Sequence, residues 1–297
     1  MKADLHIHSR YSNDAEFEIR EILDKCKENG IDIFSVTDHN GVGGSREAAQ
    51  LIAEYQDLQF IPGIEIDCNY RGTDLHLLGY QVNLNGENFD TLENGVRKKY
   101  FDAVPQMIHN LHKLGIEIDR DELMQRSGVE PPSAELFAEV LLEKPKQHSN
   151  PILQAYLPGG ERSDMPLINF YLDFFAQGKP AYVKIEHLDF KEAVALVRDQ
   201  GGIPIVAHPG LNLKDREEVV HELLDLGAAG LEVFNNYHSP EQAAYFARET
   251  SKRGALLTCG SDFHGNTKPR ISLGQYVFLE NYRVYLERSL SSILNIK

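Results

Sequence analysis

Strand-like apolar runs alternate with amphipathic helical runs along much of this chain, and that alternation leaves few folds open. Residues 2–8 read as a strand. "NDAEFEIREILDKCKENG" follows with Phe17, Ile19, Ile22, Leu23 and Cys26 at helical spacing and Gly30 as a stop. "IDIFSVTDHN" then reads as a buried strand, "GGSREAAQLIAEYQ" as a helix with Ser45 as a candidate cap, and "LQFIPGIEID" and "TDLHLLGYQVN" as the third and fourth strands. Residues 86–179 break the rhythm with helical runs such as "VRKKYFDAVPQMIHNLHKLG" and "SAELFAEVLLEK", divided by Pro- and Gly-bearing turns. From residue 180 the alternation resumes through "IPIVAHPG", "AAGLEVFNNYH" and "ALLTCGSDFHG". The expectation is an α/β fold with seven parallel strands forming an open sheet or a barrel from residues 1–85 and 180–297, with helices outside it and a helical insertion at 86–179.

Composition narrows the function. With 42% hydrophobic and 25% charged residues among 297, the chain has the balance of a soluble globular protein. No run reaches the roughly 18 apolar residues of a membrane span, and "MKADLHIHS" lacks the apolar core of a signal peptide, so the expected setting is the cytoplasm, away from membranes. The net charge of −15 argues against duplex DNA as a partner, although carboxylates gathered around cations would leave room for an anionic substrate. Cys26, Cys68 and Cys259 are widely spaced and read as buried small hydrophobes. Nothing in the pattern calls for an obligate protein partner.

Seven of the twelve histidines, His6, His8, His39, His76, His208, His238 and His264, lie within or just after expected strands. Asp38, Glu65, Glu232 and Asp262 keep them company. In parallel α/β folds the carboxyl ends of the strands meet on one rim, so these donors converge. His6 and His8 at spacing two share a strand face, and Asp262 and His264 repeat the spacing near the far end. Nitrogen and oxygen donors of this kind suit Zn²⁺, Mn²⁺ or Fe²⁺. One ion takes about four to six ligands, and His6, His8, Asp14, His39, Glu65, His76, His208, Asp262 and His264 exceed that, so more than one ion is expected, with Glu65 as the candidate bridge. Asp4, deeper on the same strand, is expected to accept an imidazole N–H.

"DLHIHS", "VTDHN", "PGIEI", "DLHLLGY", "VAHPG" and "GSDFHG" stand in the order of the motifs of the PHP (polymerase and histidinol phosphatase) family, which the chain resembles. The resemblance implies a distorted seven-stranded β/α barrel holding two or three divalent ions. It places His6, His8, Glu65 and Asp262 on one ion, Glu65, His76 and His208 on a second, and Asp14, His39 and His264 on a third. Many members of the family carry a histidine where this chain has Asp14, a change that would either weaken the third ion or favour Mn²⁺ over Zn²⁺ there. The long insertion after "LHLLGY" resembles the branch acting on nucleotides and short oligonucleotides, which includes nucleoside 3′,5′-bisphosphate phosphatases and 5′→3′ exoribonucleases.

The expected chemistry is metal-dependent hydrolysis of a phosphate ester by a hydroxide bridging two ions, with Glu65 and Asp262 in the catalytic centre and His238 as a proton donor or phosphate contact. Arg10, Arg162, Lys184 and Arg270 (or its neighbour Lys268) are the candidate grips on the phosphorylated substrate. Tyr156, Phe170, Tyr171, Phe174 and Phe175 have helical spacing that reads as core before base stacking. The alternatives are a phosphatase for histidinol phosphate or another small phosphomonoester, a non-catalytic metal-stabilised scaffold, and an amidohydrolase, whose barrels also open on an H-x-H strand.

Overall fold

Ala3–Ile7 (β1) is buried at every residue, so His6 enters the interior rather than the surface. The computed structural model describes residues 2–144 and 149–295. By backbone contacts the chain divides into two compact units, one of Met1–Glu93, His187–Gly265 and Arg270–Lys297, the other of Asn94–Glu186 and Asn266–Pro269.

In the first unit, β1, Ile33–Val36 (β2) and Gln59–Phe60 (β3) form a parallel three-stranded sheet. Gly63–Tyr70 (β4), Thr73–Tyr80 (β5), Leu188–Asp189 (β6), Ile203–Val206 (β7), Gly230–Phe234 (β8) and Leu256–Cys259 (β9) form a second sheet in the order β6-β4-β5-β7-β8-β9. Helix Ile19–Glu28 (α1) joins β1 to β2 and opens on a capping box between Glu18 and Glu21, which satisfies free N–H groups of its first turn. Its Ile19, Ile22, Leu23 and Cys26 are buried at the spacing expected. Each such aliphatic side chain removed from water stabilises the fold by about 1.5–3 kcal/mol. Gly43–Leu51 (α2) follows β2.

Two antiparallel pairings depart from the expected parallel sheet. β4 and β5 pair from Gly63↔Tyr80 to Tyr70↔Thr73, and β5 pairs antiparallel with β7. The cause is local. Only Arg71 and Gly72 separate β4 from β5, both with positive φ (50° and 82°), a two-residue hairpin turn too short for a crossover helix. The single strand expected at "LQFIPGIEID" is also split, because Ile61–Pro62 interrupts the ladder between β3 and β4. Two isolated bridges, Ile7↔Phe263 and His39↔Glu65, tie the ends of the two sheets together.

The long helix Glu87–Lys113 (α3) runs past the division at residue 93. The second unit continues with Arg120–Ser127 (α4), Ala134–Leu142 (α5), Pro151–Gln154 (α6) and Pro166–Phe170 (α7), the last extended by a π-helical turn at Tyr171–Phe175. It has its own core, in which Tyr156, Phe170, Phe174 and Phe175 are buried and in ring contact, whereas Tyr171 is exposed. The first unit is completed by Phe190–Asp199 (α8), Pro209–Asn212 (α9), Val220–Asp225 (α10), Pro240–Lys252 (α11) and Arg283–Leu294 (α12). Among the described residues no helix is long and apolar enough to cross a membrane.

Candidate metal centre

Alternation through β1 and the residue after it turns His6 and His8 to one side, and both are fully buried. Their Nε2 atoms stand 3.1 Å apart. Glu65, from the middle of β4, brings Oε2 to 3.2 Å from each, and Asp262, just beyond β9, brings Oδ1 to 3.1 Å from each. In a regular tetrahedron with edges of 3.1–3.2 Å each corner lies about 1.9 Å from the centre, close to the ~2.0–2.2 Å that Zn²⁺ keeps from nitrogen and carboxylate oxygen.

The hydrogen bonds around this group show which atoms carry lone pairs. His6 Nδ1 stands 3.0 Å from Glu232 Oε1 and His8 Nδ1 3.1 Å from Ser12 Oγ, whose own hydroxyl donates to Asp38 Oδ1. Both Nδ1–H groups are thus spent on the protein, and in the neutral rings both Nε2 atoms present lone pairs to each other and to the carboxylates. Glu65 Oε2 is buried there without accepting a hydrogen bond. A buried carboxylate oxygen facing two imidazole lone pairs is costly unless positive charge lies between them, so the residues fit a cation.

Three further groups of donors lie around the first, two sharing a residue with it and the last linking those two. Glu65 Oε1 meets His76 Nδ1 at 3.0 Å and His208 Nε2 at 3.1 Å, and His208 Nδ1 is anchored on Asn212 Oδ1 at 2.6 Å. His8, Asp14, His39 and His264 form another group, in which Asp14 Oδ2 lies 3.1 Å from His264 Nε2 and 3.8 Å from His39 Nε2. His39, Asp67 and His76 form the last. The nine residues expected as ligands therefore lie together, in groups that follow the expected partition with His8 added to the third.

Burial alone would raise the pKa of Glu65, but His6, His76 and His39 hold it well below the usual carboxylate range. Asp14 is depressed against its burial in the same way by His264 and His39. Burial opposes a charge on His39, yet Glu65, Asp67 and Asp14 push it up to about 10, whereas burial and the neighbouring His264 bring His8 down to about 4. Asp38 is pushed up to about 6 by burial, in part offset by hydrogen bonds from Ser9 and Ser12. The carboxylates at the centre create a demand for positive charge that protons on some imidazoles or divalent cations can meet. Two site residues also carry backbone strain, His208 at φ 22° and Asp262 at φ 57°, conformations that non-glycine residues adopt where the surroundings enforce them.

The family model for the PHP domain matches residues 4–179. The chain belongs to the PHP domain family. The PHP chain is 27% identical over 265 residues to a 3′,5′-nucleoside bisphosphate phosphatase from Chromobacterium violaceum, covering 88% of this chain and 86% of that one. It is 26% identical over 266 residues to a 5′-3′ exoribonuclease from Haemophilus influenzae, covering 89% and 90%. A solved structure of an amidohydrolase from Chromobacterium violaceum, with bound sulfate and no metal, shares the fold at a TM-score of 0.78 and 24% identity over 99% of this chain and 97% of that one.

Two sequence expectations for this PHP chain, those for Asp4 and His238, do not match its geometry. Asp4 touches no imidazole: its oxygens accept from the backbone of His6, Ser261 and Gly274 and from the Ser261 hydroxyl, tying β1 to the segments that follow β9. Both ring nitrogens of His238 are committed to backbone, Nδ1 to the Val233 carbonyl at 2.8 Å and Nε2 to the Gly210 N–H at 3.1 Å, so it has no free nitrogen to offer a leaving group or a phosphate. Arg10 is exposed and paired with Glu18 and Glu47, and Arg162 forks onto Asp173 with both bonds at 2.8 Å. Lys184 is exposed and bonded to Glu186, and Arg270 lies exposed after the last motif. The sequence reading missed Asp67, although it stands two residues after Glu65 on the same strand face, and Tyr237, whose hydroxyl donates to Asp262 Oδ2 at 2.7 Å.

Proposed function

We propose that this PHP domain is a phosphoric ester hydrolase acting on nucleotides or short oligonucleotides, with two or three divalent ions, Mn²⁺, Zn²⁺ or Fe²⁺, held by the overlapping donor groups. The observation that carries the reading is Glu65, whose Oε2 faces His6, His8 and Asp262 while its Oε1 faces His76 and His208. One carboxylate shared between two neighbouring groups is the arrangement that sets two cations side by side. His6, His8, Glu65 and Asp262 would hold the first ion, Glu65, His76 and His208 the second, and Asp14, His39 and His264, with His8 adjacent, the third. Bound there, such ions supply Lewis acidity, neutralising phosphoryl charge and lowering the pKa of water.

The chain's own residues keep that arrangement rigid. Glu232 holds the His6 ring through Nδ1 and also accepts the backbone N–H of His208, so one buried carboxylate fixes donors from two groups. Tyr237 turns Asp262 by its outer oxygen and leaves Oδ1 toward the histidines. The bridges Ile7↔Phe263 and His39↔Glu65 support reading β1, β2, β4, β5, β7, β8 and β9 as a distorted seven-stranded barrel, with the donors on one rim. Cytoplasmic action on a small phosphorylated substrate fits these features.

Nucleoside 3′,5′-bisphosphates, 5′-phosphorylated short RNA and histidinol phosphate, assayed in parallel with Mn²⁺ and with Zn²⁺, test the reading. Release of phosphate or nucleotide from either of the first two in a metal-dependent way is expected. Turnover of histidinol phosphate alone, or of none of them, overturns the substrate class.

A further inference from the structure

Asp67 belongs to none of the three ion positions just assigned, yet it is buried against two of their histidines. Its Oδ1 lies 3.1 Å from His39 Nδ1 and 3.5 Å from His76 Nε2. Each of those nitrogens is the one opposite the ring nitrogen assigned to an ion: His39 directs Nε2 toward Asp14, and His76 directs Nδ1 toward Glu65, although His39 Nδ1 also stands 3.4 Å from Glu65 Oε2, farther than from Asp67. Asp67 is itself held on its other side. Asn40 donates through Nδ2 to Asp67 Oδ2 at 2.8 Å and accepts the Asp67 backbone N–H on Oδ1 at 3.0 Å. Asn40 adopts φ 56°, and its own N–H donates to the Glu65 carbonyl at 2.7 Å, so the clamp is locked to the strand that carries Glu65. Asn and Asp tolerate this left-handed conformation better than most residues.

We infer that Asp67 is a positioning residue that fixes the tautomers of His39 and His76 together, accepting Nδ1–H from the one and Nε2–H from the other, and so couples the second and third ion positions. An imidazole binds a cation through a nitrogen that carries a lone pair, and a carboxylate acceptor on the opposite nitrogen decides which one that is. His6, His8 and His208 have separate acceptors in Glu232, Ser12 and Asn212. His39 and His76 share one, so the two positions they serve stand or fall together. The inference rests on the reading that these groups hold cations, and its test separates the two.

Metal-stripped wild type and Asp67→Asn are reloaded with Zn²⁺, and bound equivalents, affinities and the ¹⁵N shifts of the histidine rings are measured, with thermal melting as a check on folding. Asn keeps the shape and the Asn40 contact but lacks a full charge to accept both N–H groups. In the wild type, His39 is expected to show a metal-bound Nε2 and a protonated Nδ1, and His76 the reverse. In the variant one equivalent stays tightly bound while the others weaken by about 10–100-fold. Asp67→Ala, which removes the acceptor altogether, should show the same pattern more strongly if the Asn variant melts early. Less than one equivalent in the wild type overturns the metal reading itself. Full stoichiometry in a wild type whose variants bind Zn²⁺ with unchanged affinity overturns the role of Asp67 alone, as does a metal-bound Nδ1 on His39, which would make Asp67 a ligand.

Discussion

Glu65→Gln is the perturbation that bears most directly on the centre. The substitution keeps volume and leaves the backbone intact, since the Glu65 N–H bonds to the Asp38 carbonyl and its carbonyl accepts from Asn40, neither through the side chain. It removes the single charge placed between four imidazoles, with contacts of 3.0–3.2 Å to His6, His8, His76 and His208. A carboxamide offers one oxygen and an N–H₂ group, so one of the two neighbouring positions would face donors in place of an acceptor. Deleting one charge from a buried, paired cluster costs about 3–5 kcal/mol. At 1.4 kcal/mol per tenfold, cation affinity should fall by roughly two to three and a half orders of magnitude. Elemental analysis after stripping and reloading should find the ion shared through Glu65 missing, kcat/KM on a nucleoside 3′,5′-bisphosphate should drop at least as steeply, and the circular dichroism spectrum should be preserved. A variant that reloads to wild-type stoichiometry and turns over within tenfold of wild type would remove Glu65 from the bridge.

Two other outcomes follow from the same contacts. Arg162→Ala should lower stability by no more than about 1 kcal/mol, because the Arg162–Asp173 pair is partly solvated, and should leave KM within twofold; a tenfold rise in KM would show that Arg162 leaves Asp173 to grip phosphate. Burial lowers the pKa of His238 below 6.5, with the Val233 carbonyl and Glu232 opposing only in part, so its ring should stay neutral at pH 6.5 by NMR titration. The linked stability is present above pH 6.5 and is lost as pH falls through the depressed value, which denaturant melts at pH 7.5 and 5.5 would register; a ring already half protonated at pH 6.5 refutes it.

What the sequence disclosed was governed by periodicity. His6 and His8 were legible as a pair because strand alternation places i and i+2 on one face, and the same rule, applied to Glu65, would have found Asp67. The rings of His39 and His76 come close to each other only through the β4–β5 hairpin and the His39↔Glu65 bridge, pairings between segments that no local pattern encodes. The antiparallel turn was visible as Arg71–Gly72 but was masked by the surrounding strand–helix rhythm. Cations such as Arg10 and Arg162 were legible only as charges, because a sequence does not show the carboxylate that each is paired with. His238 likewise looked available at the end of a strand, and only folding set the Gly210 N–H and the Val233 carbonyl against its two nitrogens.

The bridge Ile7↔Phe263 and the bonds from Asp4 to Ser261 and Gly274 join the first strand to segments made much later in synthesis. At roughly 5–20 residues per second, tens of seconds separate the appearance of His8 from that of Asp262 on the ribosome. During that interval β1 has β2 on one side and nothing on the other, and its histidines lack the aspartate that completes their group. The nascent chain is therefore unable to assemble the four-donor group until Asp262 has been made, a built-in delay that keeps the earlier strands from holding ions in their final arrangement.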